Sequence, residues 1–145
     1  MTVADEVVPT TDGAQNLGTA AKRWGAIYAQ QTILVKTAGE ILNGGRAVFV
    51  AADGKLYMAD NTVLAEVKAT VGISQGAALL GAAASYISGG VINEPGWAFT
   101  PGDRIYFDNL GILVNAPPAT GHLRSVGVAD SATSILVNVG EVIAR

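Results

Sequence analysis

"RAVFVAADGKLYMAD", residues 46–60, decides the fold class. Val48, Phe49 and Val50 form one apolar run and Leu56, Tyr57 and Met58 another, with Ala52-Asp53-Gly54 between them. Asp-Gly between two such runs is a strong hairpin signal, because glycine accepts the positive φ of a tight turn. The stretch reads as two antiparallel strands, and the rest of the chain can be read outward from it.

The same pattern continues on the C-terminal side. "VKATVGI" (67–73) alternates Val67, Ala69, Val71 and Ile73 against Lys68 and Thr70, the period of a half-buried strand. "DRIYFD", "GILVN", "LRSVGVAD" and "SILVNVGEVI" follow as further strands. Short strands spaced about 8–12 residues apart predict an all-β sandwich or barrel. Pro95-Gly96 and Pro101-Gly102 mark turns around Trp97 and Phe99, which are read as core. "NAPPATG" (115–121) is a stiff loop, since its two prolines supply no ladder hydrogens.

The chain also repeats itself. An offset of 57 places Gly45 on Gly102, Val48-Phe49-Val50 on Ile105-Tyr106-Phe107, Gly54 on Gly111 and Leu56 on Leu113. An offset of 55 places "VGIS" (71–74) on "VGVA" (126–129). The expectation is an internal duplication with halves at about 44–74 and 101–129.

Composition narrows the function classes. Charged residues are 14% of the chain, against about 25% in average globular domains. So little charge implies that other subunits cover much of the surface. A net charge of −3 gives no electrostatic footprint for nucleic acid or an anionic membrane. With no cysteine, neither a disulfide nor a thiolate metal site is possible. "MTVADEVV" has no basic region and is not read as a signal peptide. The most apolar run, residues 77–92, is interrupted by glycines and falls short of the roughly 20 residues of a bilayer span. It reads as buried strands around a turn.

Catalytic chemistry finds little to build on. "GISQG" (72–76) fits G-x-S-x-G and makes Ser74 a candidate nucleophile, but no convincing helix follows. The single histidine, His122, lies in a turn, and the repeat places Ala129 where Ser74 stands. Asp12, Asp53, Asp103 and Asp108 lie in or beside turns, where aspartate caps backbone amides. No catalytic residue, cofactor site or metal site is expected.

The N-terminal side differs in character. In "NLGTAAKRWGAIYAQ" (16–30), Leu17, Trp24, Ile27 and Tyr28 suit one or two helical turns with a single apolar face. Thr19 is the expected N-cap. A helix this short must lean on something else, because nucleation is costly. That partner is either its own β domain or neighbouring chains.

Residues 9–33 resemble a motif of bacteriophage tail-fibre and related virion proteins, matched by Asn16, Leu17, Gly18, Arg23, Trp24, Ile27, Tyr28 and Ala29. "DGKLYMAD", "FTPGDRIYFDNLGIL" and "VGVADSATSILVN" are similar to the small β domains of phage fibres and capsid-decoration proteins. The resemblance implies a homotrimer, with Leu17, Arg23, Trp24, Ile27 and Tyr28 at the trimer or attachment interface. It implies a location in the virion and contact with the major capsid protein or tail proteins, without nucleic acid or membrane.

The resulting expectation is a mainly β protein: an N-terminal arm with a short helix (1–37), then a compact β-sandwich or barrel-like knob (38–145). The expected function is a non-enzymatic structural protein of a tailed phage, of capsid-decoration or head-fibre type. A short tail fibre or adaptor is the alternative, and a small hydrolase using Ser74 a distant one.

Overall fold

The hairpin forms where the sequence places it. The computed structural model describes residues 31–145, together with Ala21, Lys22 and Ala26. Gln31–Thr37 forms β1, Ala47–Val50 β2 and Leu56–Met58 β3. β2 and β3 pair antiparallel, Phe49 opposite Tyr57, around Gly54 at φ +77°. Asp53 secures the turn: one carboxylate oxygen accepts from the Lys55 amide at 2.9 Å, the other from the Tyr57 hydroxyl at 2.7 Å. These bonds, the Lys55 amide first, hold the Asp53 carboxyl below its usual pKa, and the same contact raises that of Tyr57.

The next segment corrects the expected strand over 67–73. Leu64–Ala69 is a short helix, α1, and the strand β4 covers only Thr70–Ser74. Leu, Ala, Glu and Lys are good helix formers, and local bonds fix the turn. The Glu66 carboxylate accepts from the Asp60 amide, and the Thr70 hydroxyl donates to the Glu66 carbonyl. Val67 is buried and Lys68 exposed, as a strand would also have them, but Thr70 turns inward while Val71 is half-buried.

The remaining strands are β5 (Ala83–Asn93), β6 (Arg104–Phe107), β7 (Leu113–Val114), β8 (Leu123–Arg124), β9 (Gly127–Ala129), β10 (Ser134–Val137) and β11 (Val142–Ile143). The fold is mainly β, with antiparallel sheets. The large sheet runs β3-β2-β4-β5-β10-β9-β6-β7, β1 pairs with β5, and β8 pairs with β11. Its two ends meet where Arg46 bridges Ile112 and the Gly111 amide donates to the Ala59 carbonyl. The main core includes Ile73, Ile87, Ile105, Phe107 and Ile135, with Trp97 and Phe99 packed against it. A second cluster joins Ala38, Leu42, Val48, Leu56, Ala84 and Tyr86. Among the described residues no helix is long and apolar enough to cross a membrane.

Several pairings recur at the offsets of 57 and 55. Phe49↔Tyr57 and Val50↔Leu56 match Tyr106↔Val114 and Phe107↔Leu113. Ala47↔Ile73 and Val48↔Gly72 match Arg104↔Val128 and Ile105↔Gly127. Outside the ladders, Gly45 N–H to Ser74 O matches Gly102 N–H to Ala129 O. Ile73↔Ile87 and Ser74↔Tyr86 match Val128↔Leu136 and Ala129↔Ile135, so β5 corresponds to β10. The sheet order therefore reads the same from either end once each strand is replaced by its counterpart.

The recurring Val-Gly has a steric cause. A Cβ on Gly72 would lie 2.1 Å from the Ile87 carbonyl oxygen, and one on Gly127 would lie 2.3 Å from that of Leu136. Backbone comes too close at both crossings for any side chain. Gly72→Ala and Gly127→Ala are each expected to cost about 1–3 kcal/mol, as forced overpacking does. Chemical denaturation of the two variants beside wild type checks this.

Candidate assembly surface

Half of the large apolar residues that the core does not take up lie on β1 and the segments beside it. Among the described residues twelve large hydrophobics are exposed, and six of them lie on β1, the segment after it and the turn before β5. They are Ile33 (48% exposed), Leu34 (43%), Val35 (61%), Ile41 (64%), Leu79 (72%) and Leu80 (66%). The topology puts them together. β1 lies antiparallel on β5 from Gln31↔Gly90 to Thr37↔Ala83. Leu42 bridges Ala78, and the Gly81 amide donates to the Ala38 carbonyl, which brings Ile41 beside the Leu79-Leu80 turn. The run 77–92 is thus not two buried strands: its first limb is an exposed turn, and only β5 is a strand.

β1 is an edge strand that pairs with β5 alone among the described residues. Two cross-strand rows run out through it. Ala47, Ile73 and Ile87 stand opposite one another in sequence on β2, β4 and β5, all fully buried, and Ile33 on β1 is the next in that row. Ser74 and Tyr86 form a neighbouring buried row, and Leu34 extends it. An edge this long and apolar offers both open backbone groups and unburied side chains to another chain.

Leu17, Arg23, Trp24, Ile27 and Tyr28, the interface residues read from the sequence, lie outside the described residues, as does the expected arm helix. β1 itself falls within residues 1–37, so the end of that segment is laid along the sheet.

The other candidates resolve into structure-bearing contacts. Ser74 is buried in β4; its hydroxyl donates to the Asn43 carbonyl at 2.6 Å and accepts from the Arg46 amide at 3.0 Å. The His122 Nδ1 accepts from the Arg145 amide. Asp103 accepts from the Thr100 amide and the Asn115 side chain, and Asp108 from the Asn109 amide. No group of three or more His, Cys, Asp or Glu able to hold a metal ion occurs among the described residues.

A groove of about 320 Å³ lies elsewhere, lined by Arg104, Tyr106, Arg124, Glu141 and Ile143 among others. At the offsets of 57 and 55 the buried Ala47 and Ile73 fall on Arg104 and Val128, which are exposed, and Arg104 lines this groove. Arg124 was not singled out in the sequence, and no local signal marks it. Its Nη1 donates to the carbonyls of Val67 (2.8 Å), Lys68 (2.7 Å) and Thr70 (3.2 Å), and its Nε to that of Gly140 (2.8 Å). It therefore closes the C-terminal end of α1 and ties it to the β8–β11 pair. Desolvation lowers its pKa, but a guanidinium stays charged.

Compared with known proteins, the chain matches no protein-family model and no curated sequence.

Arg124→Leu is expected to cost about 1–3 kcal/mol through the helix carbonyls it leaves unsatisfied. Arg124→Lys recovers only part, since one ammonium cannot span both α1 and Gly140. Thermal unfolding, with amide exchange at α1 as the local readout, checks both.

Proposed function

We propose that the chain is a non-enzymatic structural protein of a tailed-phage virion, acting as a homotrimer on the capsid as a decoration or head-fibre protein. The motif of residues 9–33, carried by Leu17, Arg23, Trp24, Ile27 and Tyr28, is the basis for the virion assignment. The observation that carries the assembly role is the exposure of Ile33, Leu34, Val35, Ile41, Leu79 and Leu80 along the β1 edge and the turn beside it. β1, the described end of the N-terminal segment, contributes three of these residues, and an exposed apolar edge of this kind suits contact with neighbouring subunits. The low charge of the chain agrees with such coverage.

The domain that this surface leads into is, on this reading, a duplicated β unit of the sandwich or barrel kind. The matched registers and the paired close approaches at Gly72 and Gly127 support it. Ser74 as a structural residue fits the same picture: its hydroxyl serves the Asn43–Arg46 turn.

Two experiments test the proposal. Particles separated into heads and tails are expected to carry the chain with the heads; recovery with tails would move it to the alternative placement, and absence from both would end the virion reading. Trp24→Ala is expected to weaken the trimer while leaving the β circular dichroism intact. Truncating a packed indole costs about 3–5 kcal/mol, and this loss is expected to fall on assembly. Unfolding of the β domain instead would make the arm part of a single core.

A further inference from the structure

We propose that Asn43-Gly44 is a self-modification site, where the chain converts Asn43 to aspartate and isoaspartate in water without an enzyme, and that the Ser74 hydroxyl assists the step.

Three observations lead there. First, the reacting groups are open. Asn43 is the one asparagine of the chain that glycine follows. Cyclisation needs the amide nitrogen of the next residue to reach the side-chain carbonyl carbon, and a residue without Cβ obstructs that approach least. Asn43 is exposed, and among the described residues neither its side chain nor the Gly44 amide makes a hydrogen bond. The hairpin turn at Asp53-Gly54 is the contrast. There the Gly54 amide donates to the Ala51 carbonyl, and the Asp53 carboxylate is held by the Lys55 amide and the Tyr57 hydroxyl.

Second, Ser74 addresses the atom on which charge develops. The step begins when the Gly44 amide gives its proton to solvent hydroxide, and the resulting negative charge spreads onto the Asn43 carbonyl oxygen. The Ser74 hydroxyl donates to that oxygen at 2.6 Å and accepts from the Arg46 amide at 3.0 Å, so each bond polarises the next. A donor already in place at an oxygen that gains charge lowers the barrier.

Third, packing keeps glycine in the pair. A Cβ on Gly44 would lie 2.8 Å from the Gly76 Cα, too close for any side chain without a shift of backbone.

The Gly44 nitrogen then bonds to Asn43 Cγ, the Cγ–Nδ2 bond breaks, and ammonia leaves. Water opens the resulting five-membered imide. Attack at Cγ gives aspartate, and attack at the main-chain carbonyl carbon gives isoaspartate, with Gly44 joined through Cγ. Either product adds a carboxylate to the exposed turn before β2. Isoaspartate also lengthens the main chain by one carbon, in a turn that Ser74 fastens at both Asn43 and Arg46.

The full chain is incubated at mildly alkaline pH beside the same chain unfolded in guanidinium chloride and the variants Ser74→Ala and Ser74→Thr. The tryptic peptide of residues 37–46 is followed by mass spectrometry, with fragmentation to separate aspartate from isoaspartate. The native chain is expected to gain the mass of an NH2-to-OH exchange at Asn43 faster than the unfolded chain does. Ser74→Ala is expected to slow the gain about threefold to tenfold, as loss of one hydrogen bond does, and Ser74→Thr, which keeps the hydroxyl, to recover it. If the native chain reacts more slowly than the unfolded one, the fold shields the turn and the proposal fails. If folded Ser74→Ala reacts as fast as wild type, Ser74 has no part in the step. Should Ser74→Ala lose its β circular dichroism, the ratio of native to unfolded rates decides alone: above one supports the proposal, below one overturns it.

Discussion

The sheet depends on β5. Its eleven residues pair with β1, β4 and β10, so the first half, the second half and the end of the N-terminal segment are all fastened to one strand. Such a strand cannot stay regular. The β1 register passes from Thr32↔Gly89 to Ile33↔Ile87, leaving Ser88 without a partner, and this irregularity shifts the alternation along β5. Before it, Tyr86 faces the second cluster and Ile87 the main core; after it, Ile92 returns to the main core. The glycines at 89 and 90 give the backbone its freedom at the step.

Around this strand the matched pairings differ in burial. The row Ala47–Ile73–Ile87 is buried in the main core, whereas the matching row Arg104–Val128–Leu136 is exposed. Arg104, at the place that matches the buried Ala47, is exposed, while Phe49 and Tyr106 are both half-buried. At both Gly72 and Gly127 a neighbouring carbonyl oxygen leaves no space for Cβ.

Local chemistry made the hairpin legible. Asp53-Gly54 between apolar runs carries its own turn geometry, and the Val-Gly pairs carry the close crossings. The helix α1 was hidden because Val67 buried and Lys68 exposed suit a helix and a strand equally, and Arg124, which caps it, acts from 54 or more residues away. The attachment of β1 to β5 is equally non-local. The exposed surface was the hardest to read: Ile33, Val35, Leu79 and Leu80 have the same composition as core residues, and only the topology reveals that nothing within the described chain covers them. Leu17, Arg23, Trp24, Ile27 and Tyr28, read from their spacing and motif, lie outside the described residues.

An unburied apolar surface of this extent, on a chain with 14% charged residues, links the fold to its proposed use. Apolar area left in water by one chain drives its association with others. On the proposed reading, copies of the chain cover one another's apolar edge at β1. Sedimentation equilibrium of the full chain at micromolar concentration tests it most directly. The account predicts the mass of three chains, unchanged on moderate dilution; the mass of a single chain would contradict it.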